Sequence, residues 1–408
     1  MIVDPPRWGR RGLRATSPFS DAELAARVGA VKAEMDERGL EALLVNSPEN
    51  IYYLIGLSHQ GYFAFTMLLL PRDGEPALIA RKMERHTISQ QVPQVRHVGY
   101  EDHEEAGPFS ALAIRHLGLA GSRIGLDRSS MFLPADVWMQ MERDLPGVDW
   151  VDTGSTEESD DRFRTGLVDQ IRLVKSPAEL EQMRRAAAIS DLAALAGLEA
   201  AGPGVSQKEV AAEVYRAMIL GGGEYPGFAP FIRTTSTLRE EHSTWQDRAL
   251  QRGEKLFLEL SGSSARYHAP LGRMAFVGEV TPGAEEVRRL AIRALDAVVG
   301  ALRPGVETRH VYEAWQDVVD EGLGHSRLRR HHCGYSVGIG FPPSWVGSST
   351  VLGIRRDGRA RVEAGMAFHI LSWITDEDMG DYLVSDTAVV EQDGAHLITT
   401  TPRPIEVG

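Results

Sequence analysis

The chain has 408 residues, of which 43% are hydrophobic and 25% charged, and this composition predicts two globular domains with sizeable cores. Its formal net charge of −13 opposes nonspecific attraction to nucleic acid or to anionic lipid, so we expect small molecules as partners instead. The single cysteine, Cys333, excludes an intramolecular disulfide and a multi-thiolate zinc site within one chain.

The N-terminal segment and the apolar runs predict a soluble, cytoplasmic protein. Residues 1–19 contain prolines and arginines where a signal peptide needs an uninterrupted apolar stretch. The longest apolar runs, such as the one that ends at Leu70, are too short to span a bilayer. We therefore expect no contact with a membrane.

The first half alternates helical and strand patterns. Asp21 to Arg38 has apolar residues at helical spacing and ends at Gly39, and a short buried strand follows at 41–45. Another strand is predicted from Phe65 to Leu70, closed by a turn at 71–74. These elements predict an N-terminal α/β domain over residues 1–160, which ends in the linker-like stretch 153–161.

The second domain, predicted over residues 170–408, contains a weak internal repeat. A Pro-Gly-Val turn at 203–205 and another at 304–306 each follow an alanine-rich helix and precede an amphipathic helix, 207–219 in one case and 308–321 in the other. Strand patterns follow each helix pair. Since such turns are common between helices, chance explains the repeat equally well.

Several phrases together resemble the "pita-bread" family of creatinase, prolidase and methionine aminopeptidase. Residues 39–56 resemble the start of a creatinase-type N-terminal domain, and residues 172–187 resemble the entry to its catalytic domain. This resemblance implies an α+β fold of two domains, in which the C-terminal pita-bread domain has pseudo-twofold symmetry. It also implies a homodimer.

The resemblance places altered residues at all five positions where most relatives hold two metal ions. Aspartate, aspartate, histidine and two glutamates are matched in turn by Glu259, Pro270, Tyr335, Leu371 and Ser385. Proline and leucine have no ligand atom in their side chains, and neutral hydroxyl groups are poor substitutes for imidazole or carboxylate. We therefore expect no metal and no other cofactor.

Within this family the phrases around Glu259 and Tyr335 are most similar to those of ectoine hydrolases, and the spacing from His242 to Arg248 agrees with creatinase. The resemblance implies a metal-independent hydrolase of C–N bonds that acts on ectoine or a related zwitterion. Two alternatives stay open: a creatinase-like amidinohydrolase, and a small-molecule-binding protein without turnover.

Three residues are the candidate catalytic groups. Histidine titrates near neutral pH, so His242 could act as a general base and then as a general acid. Glu259 lies in an otherwise apolar strand, where it could bind an amidinium or instead form an ion pair with Arg266 or Arg273. His268 could donate to the developing tetrahedral centre, or it could be a hydrogen-bonded structural histidine.

Four further residues are the candidate substrate-binding groups. Tyr335 and His369 occupy or adjoin the former metal positions, and Trp373 could form an aromatic wall, although core packing explains a tryptophan as well. Asp386 is the fourth, with surface solvation as the alternative. The sequence thus predicts one site, formed mainly by strands of the second domain.

Overall fold

The computed structural model describes residues 17–154, 166–324, 328–347, 351–376 and 378–408. The linker-like stretch predicted at 153–161 lies outside these residues from position 155 onward. The described chain divides into two compact units, the first reaching to Arg172 and including Gly347, the second formed by Leu173–Val346 and Val351–Gly408. No helix among the described residues is long and apolar enough to cross a membrane.

The first unit is a mixed sheet with helices. Its six strands follow the order β4-β3-β2-β1-β5-β6, in which β1 pairs in parallel with β5 and antiparallel with β2. Its elements are α1 (Asp21–Glu37), β1 (Ala42–Val45), α2 (Pro48–Ile55), β2 (Met67–Pro71), β3 (Ala77–Arg81), α3 (Arg85–Gln91), β4 (Arg96–Tyr100), α4 (Ala106–His116), β5 (Arg123–Leu126), α5 (Ala135–Asp144), β6 (Asp149–Asp152) and α6 (Leu167–Ile171), with 3-10 turns at Gly61–Phe63 and Lys82–Glu84.

Local sequence explains where the first elements begin and end. The Ser20 side chain accepts a hydrogen bond from the backbone of Glu23 and so starts α1, and Gly39 follows the helix with a positive φ of 65°. The helix, the strand after it and the strand β2 lie where the sequence predicts them, within two residues at each end. The core of the unit forms where apolar strand residues such as Leu44 and Leu69 meet α4 and α5.

The second unit is a mainly antiparallel sheet with four helices on one face. The strand order is β10-β11-β12-β9-β8-β7, while β13 pairs with β12 and β14 pairs with β9. Its elements are α7 (Pro177–Ala200), α8 (Gln207–Leu220), β7 (Phe231–Thr234), β8 (Lys255–Ser264), β9 (Tyr267–Val277), α9 (Ala284–Ala301), α10 (Thr308–Gly322), β10 (Gly334–Ser336), β11 (Ala367–Asp376), β12 (Gly380–Glu391), β13 (Gly394–Leu397) and β14 (Glu406–Val407).

The predicted repeat is present in the structure as two helix pairs, α7–α8 and α9–α10. Gly204 and Gly305, the glycines of the two Pro-Gly-Val turns, have matching φ angles of 88° and 87°. Each turn reverses the chain so that the second helix packs on the first. The two-domain architecture and its α+β class thus agree with the sequence-based expectation.

Candidate active site

The sheet of the second unit has an outer face that packs on the helices and an opposite face, which we call the inner face. Leu256 and Leu258 point outward, because they share a core cluster with Val210 of α8. Successive strand residues point to opposite faces, so Phe257 and Glu259 point to the inner face.

The strand register places several candidate residues side by side on the inner face. Glu259 is paired with Gly272, Gly272 with Ser385, and Ser385 with Leu371, so that these four residues cross β8, β9, β12 and β11 in one row. A Cβ atom built on Gly272 would lie 2.6 Å from the Ser385 hydroxyl, so glycine is needed for this close approach. Four of the strands therefore contribute to one surface.

This surface does not fit a pair of metal ions. Of the positions matched to metal ligands, Glu259 alone carries an ionisable group that metals prefer, and the hydroxyl groups of Tyr335 and Ser385 are both hydrogen-bonded to His369. Across the described ranges, the one group of three or more acidic, histidine or cysteine side chains close enough to share an ion is the exposed set Glu391, Asp393 and His396. The inner face offers no comparable set among the described residues.

A hydrogen-bonded chain of three side chains connects two of the positions matched to metal ligands, Tyr335 and Ser385. His369 places Nδ1 2.8 Å from the Tyr335 hydroxyl and Nε2 2.8 Å from the Ser385 hydroxyl. The Tyr335 oxygen also accepts a hydrogen bond of 3.2 Å from the indole N–H of Trp345. Burial lowers the pKa of His369 to about 3 and raises the pKa of Tyr335, so at neutral pH both side chains are uncharged. The imidazole thus connects two hydroxyl groups without adding charge.

Glu259 is a buried carboxyl group without a hydrogen-bonding partner among the described residues. The residue is 4% exposed, and burial raises the pKa of its carboxyl group to about 7, against the opposing effect of the nearby Arg233. The expected alternative, an ion pair with Arg266 or Arg273, is wrong. Arg266 donates to backbone carbonyls, including that of Gly340, while Arg273 pairs with an aspartate on the outer face. Glu259 is therefore free to bind a cationic group.

Two arginines and a tryptophan lie next to Glu259. The guanidinium of Arg233 lies over the rings of Phe257 and Trp373, at 4.7 and 5.3 Å from their centroids, and that of Arg330 lies 4.7 Å from the Trp373 centroid. The indole N–H of Trp373 is buried and has no partner among the described residues. Trp373 also belongs to the core cluster of the unit, so its role as an aromatic wall stays a prediction.

His242 lies at the edge of the inner face. It is exposed, and its ring lies 5.7 Å from that of Phe231, the cross-strand neighbour of Glu259. Its φ angle is 63°, an unfavourable conformation for a residue with a side chain that recurs at functional sites. No described residue is hydrogen-bonded to its ring, so both nitrogens can reach solvent or ligand.

His268 has a structural position, which corrects the expectation that it donates to the reaction centre. Its Nδ1 bonds to the carbonyl of Arg266 at 2.9 Å, and its Nε2 accepts the backbone N–H of Gly227 at the same distance. Burial and the nearby Arg266 hold the pKa of His268 well below its usual value. The neutral ring therefore has no nitrogen left for a substrate.

Asp386 lies on the outer face, so the expectation that it binds substrate is wrong. It follows Ser385 directly in β12, and neighbouring strand residues point to opposite faces. Its carboxylate pairs with Arg273 at 2.6 Å and with Arg403 at 2.7 Å, and it accepts a hydrogen bond from Thr399. The expected alternative, surface solvation, is also wrong because Asp386 is fully buried.

Sequence reasoning missed Arg233 and Arg330. Arg233 is a charged residue in the otherwise apolar strand segment 231–233, the same signal that identified Glu259. Arg330 has no such signal, because it precedes β10 in an irregular segment.

Comparisons with known proteins match nearly the whole chain. A model of metallopeptidase family M24 matches residues 181–392, and a model of the creatinase/prolidase N-terminal domain matches residues 27–174. The chain is 28% identical to the ectoine hydrolase of Halomonas elongata, over 97% of this chain and 100% of that protein. It is also 28% identical to an uncharacterized hydrolase/peptidase of Sinorhizobium fredii, over 95% and 98% of the two chains. Among solved structures, a prolidase from Thermococcus sibiricus superimposes with a TM-score of 0.81 at 18% identity, covering 95% of this chain and all of that one.

Proposed function

The chain belongs to metallopeptidase family M24, and from that premise we propose that it is a metal-independent hydrolase of a C–N bond in a small zwitterion, most specifically ectoine. Ectoine is a cyclic amidine that carries a carboxylate. The observation that supports this proposal best is the buried, unpartnered carboxyl group of Glu259, in a row of residues that no longer suits metal ions.

Glu259 suits an amidinium for electrostatic reasons. Ionising a buried carboxyl group is costly unless a positive group is close, and an amidinium supplies two N–H donors as well as the charge. Because the pKa of Glu259 is about 7, a bound cation would convert the group to its charged form near neutral pH. A metal-binding carboxylate would instead need further anionic ligands, which the row lacks.

In the proposed reaction the oxygen of a water molecule bonds to the amidine carbon, and one of the two ring C–N bonds then breaks. The electron pair of that bond stays on nitrogen, which takes a proton, so that the product contains one amide and one amine. His242 takes the proton from water and gives it to the departing nitrogen. Glu259 holds the amidinium, and the Tyr335 hydroxyl is available as a hydrogen-bond donor or acceptor for the intermediate.

A turnover assay on metal-depleted protein tests the proposal. Ectoine, hydroxyectoine and creatine are incubated separately with protein that has been dialysed against chelator and analysed for bound metal, and products are followed by NMR. We expect ectoine to be consumed at the same rate with and without chelator. His242→Ala should lower kcat by about 100-fold or more, the range of general acid–base catalysis.

The outcomes separate the alternatives. A requirement for stoichiometric zinc, manganese or cobalt, or undiminished activity of His242→Ala, would refute the proposal. Turnover of creatine but not of ectoine would favour a creatinase-like enzyme, and stabilisation by ectoine without turnover would favour a binding protein. Asp247→Asn is the matched control, because Asp247 is an exposed residue of the same loop that pairs with Lys208 on the surface.

We also propose that the protein is a homodimer, as its family resemblance implies. Light scattering on protein at micromolar concentration tests this assembly. A monomer would refute it without bearing on the reaction.

A further inference from the structure

Arg233 is a buried guanidinium with one edge unused. It is 1% exposed, and its Nη1 donates to the carbonyls of Leu238, at 3.0 Å, and Glu240, at 3.4 Å. Its Nε is a buried donor without a partner among the described residues. Both side-chain hydrogen bonds of Arg233 to described residues run through Nη1, which leaves Nη2 unused. Nε and Nη2 form the lateral edge of a guanidinium, which holds a carboxylate through two parallel hydrogen bonds.

No side chain of the described protein takes this edge. Arg233 forms no ion pair with a described residue, although Glu259 is its diagonal neighbour across β7 and β8, which places the two Cα atoms about 7–8 Å apart. The carboxylate of Glu241 instead forms an ion pair with Arg330, with 2.9 Å between Glu241 Oε1 and Arg330 Nη1. Arg233 and Glu259 are thus two buried ionisable groups of opposite sign that are near each other and do not bond.

Such an arrangement is costly for the protein alone, because buried charges need direct partners. A neutral ligand would satisfy neither group, and a cation would satisfy Glu259 only. A small zwitterion with its charges a few ångströms apart would satisfy both. Between them it would lie along Phe257 and Trp373, and the free indole N–H of Trp373 could donate to it.

We propose that Arg233 binds the carboxylate of a zwitterionic substrate through its Nε and Nη2 atoms, while Glu259 binds the cationic end of the same molecule. This inference rests on the proposed function only for the location of the site, and it holds for any substrate with a carboxylate and a delocalised cation. It assigns Arg233 to substrate recognition and to selection against molecules that lack an acid group.

Binding of paired probes tests the assignment. Ectoine is compared with 2-methyltetrahydropyrimidine, which is the same ring without the carboxylate, and creatine is compared with methylguanidine. Dissociation constants are measured by calorimetry, or kcat/KM where a probe turns over. We expect wild type to prefer the carboxylated member of at least one pair by about 100-fold or more, because each of the two charge-assisted hydrogen bonds contributes about tenfold or more.

The variants Arg233→Gln and Arg233→Lys test whether Arg233 causes the preference for the carboxylated probe. In Arg233→Gln the preference should fall to less than about threefold, because the charge is lost and weaker amide donors remain. Arg233→Lys keeps the charge but cannot offer two parallel donors, so it should retain only part of the preference. If Arg233→Gln does not fold, Arg233→Lys decides: an unchanged preference overturns the assignment.

A neighbouring arginine provides the control. Arg239 lies six residues after Arg233, in the loop that follows β7. Its side chain is 58% exposed and pairs with Asp381, so Arg239→Gln should leave the preference unchanged. Equal binding of both members by wild type, or no binding of any probe, would overturn the inference. The result is independent of catalysis, since a protein that binds ectoine through Arg233 without hydrolysing it would refute the proposed function and support this inference.

Discussion

Replacing Glu259 by glutamine should stabilise the protein, increasingly so as the pH rises. The pKa of Glu259 is about 7 in the folded protein against 4.5 for an ordinary glutamate, so its neutral form is the one that the fold favours. The stability that this form contributes is complete below pH 4.5 and is lost as the pH rises to 7 and beyond. At about 1.4 kcal/mol per pKa unit, ionisation in the folded protein costs about 3 kcal/mol.

Glutamine resembles the neutral carboxyl group in shape and cannot ionise. Glu259→Gln should therefore exceed wild type in free energy of unfolding by about 1 kcal/mol at pH 5.5 and by about 3 kcal/mol at pH 8.5. Urea denaturation at a series of pH values, without ligand, measures this difference. The same variant should lose most ectoine turnover, since the amidinium loses its anionic partner.

A partly exposed glutamate is the control. Glu213 lies on the surface of α8 and pairs with Arg216, so Glu213→Gln should change the unfolding free energy by less than about 0.5 kcal/mol at every pH. A difference between Glu259→Gln and wild type that does not vary with pH would refute the reasoning about burial. Lower stability of the variant at pH 8.5 would show that the carboxylate has a partner that stabilises it.

Three further perturbations probe the same sheet. Asp386→Asn removes one member of a buried ion pair and should lower the free energy of unfolding by about 3–5 kcal/mol, while the KM for ectoine stays unchanged. A raised KM together with full stability would show that Asp386 binds substrate after all. His268→Ala leaves the N–H of Gly227 unpaired and removes one of the two hydrogen bonds at the carbonyl of Arg266, which still accepts from Gly340. It should therefore lower the free energy of unfolding in urea by about 1–3 kcal/mol, while the kcat of the folded protein stays within about threefold. A large loss of kcat without loss of stability would contradict the structural role of His268. Binding of ectoine should release about 0.9 proton at pH 6 and almost none at pH 9, because the bound cation displaces the proton of Glu259. Calorimetry in buffers of different ionisation enthalpy measures this proton release. Equal release at both pH values would be inconsistent with the exchange.

Sequence patterns predicted individual helices and strands because local signals agreed with the fold. The serine that caps α1, the glycine after it and the apolar run of β8, which is buried everywhere except at its two ends, are properties of neighbouring residues, so they are readable along the chain. The family resemblance supplied the order of the domains, which no periodicity could give.

The site was harder to predict because its contacts join distant positions. The bonds from His369 to Tyr335 and Ser385 depend on the register of β10, β11 and β12, and sequence reasoning identified the residues without the chain that links them. Asp386 was misplaced for a related reason. Matching residues to a family motif ignores which face a strand residue points to, and one position along β12 separates the site from the outer face.

The outer-face cluster of Asp386, Arg273 and Arg403 has a consequence for how this sheet can change over evolutionary time. If β12 shifted by one residue, the side chain of Asp386 would point to the inner face and lose its two arginine partners. The ion pairs on the outer face therefore hold β12 in its register. Side chains on the front can then be exchanged while the backbone stays where it is. A scaffold of this kind can lose one chemistry and acquire another without refolding.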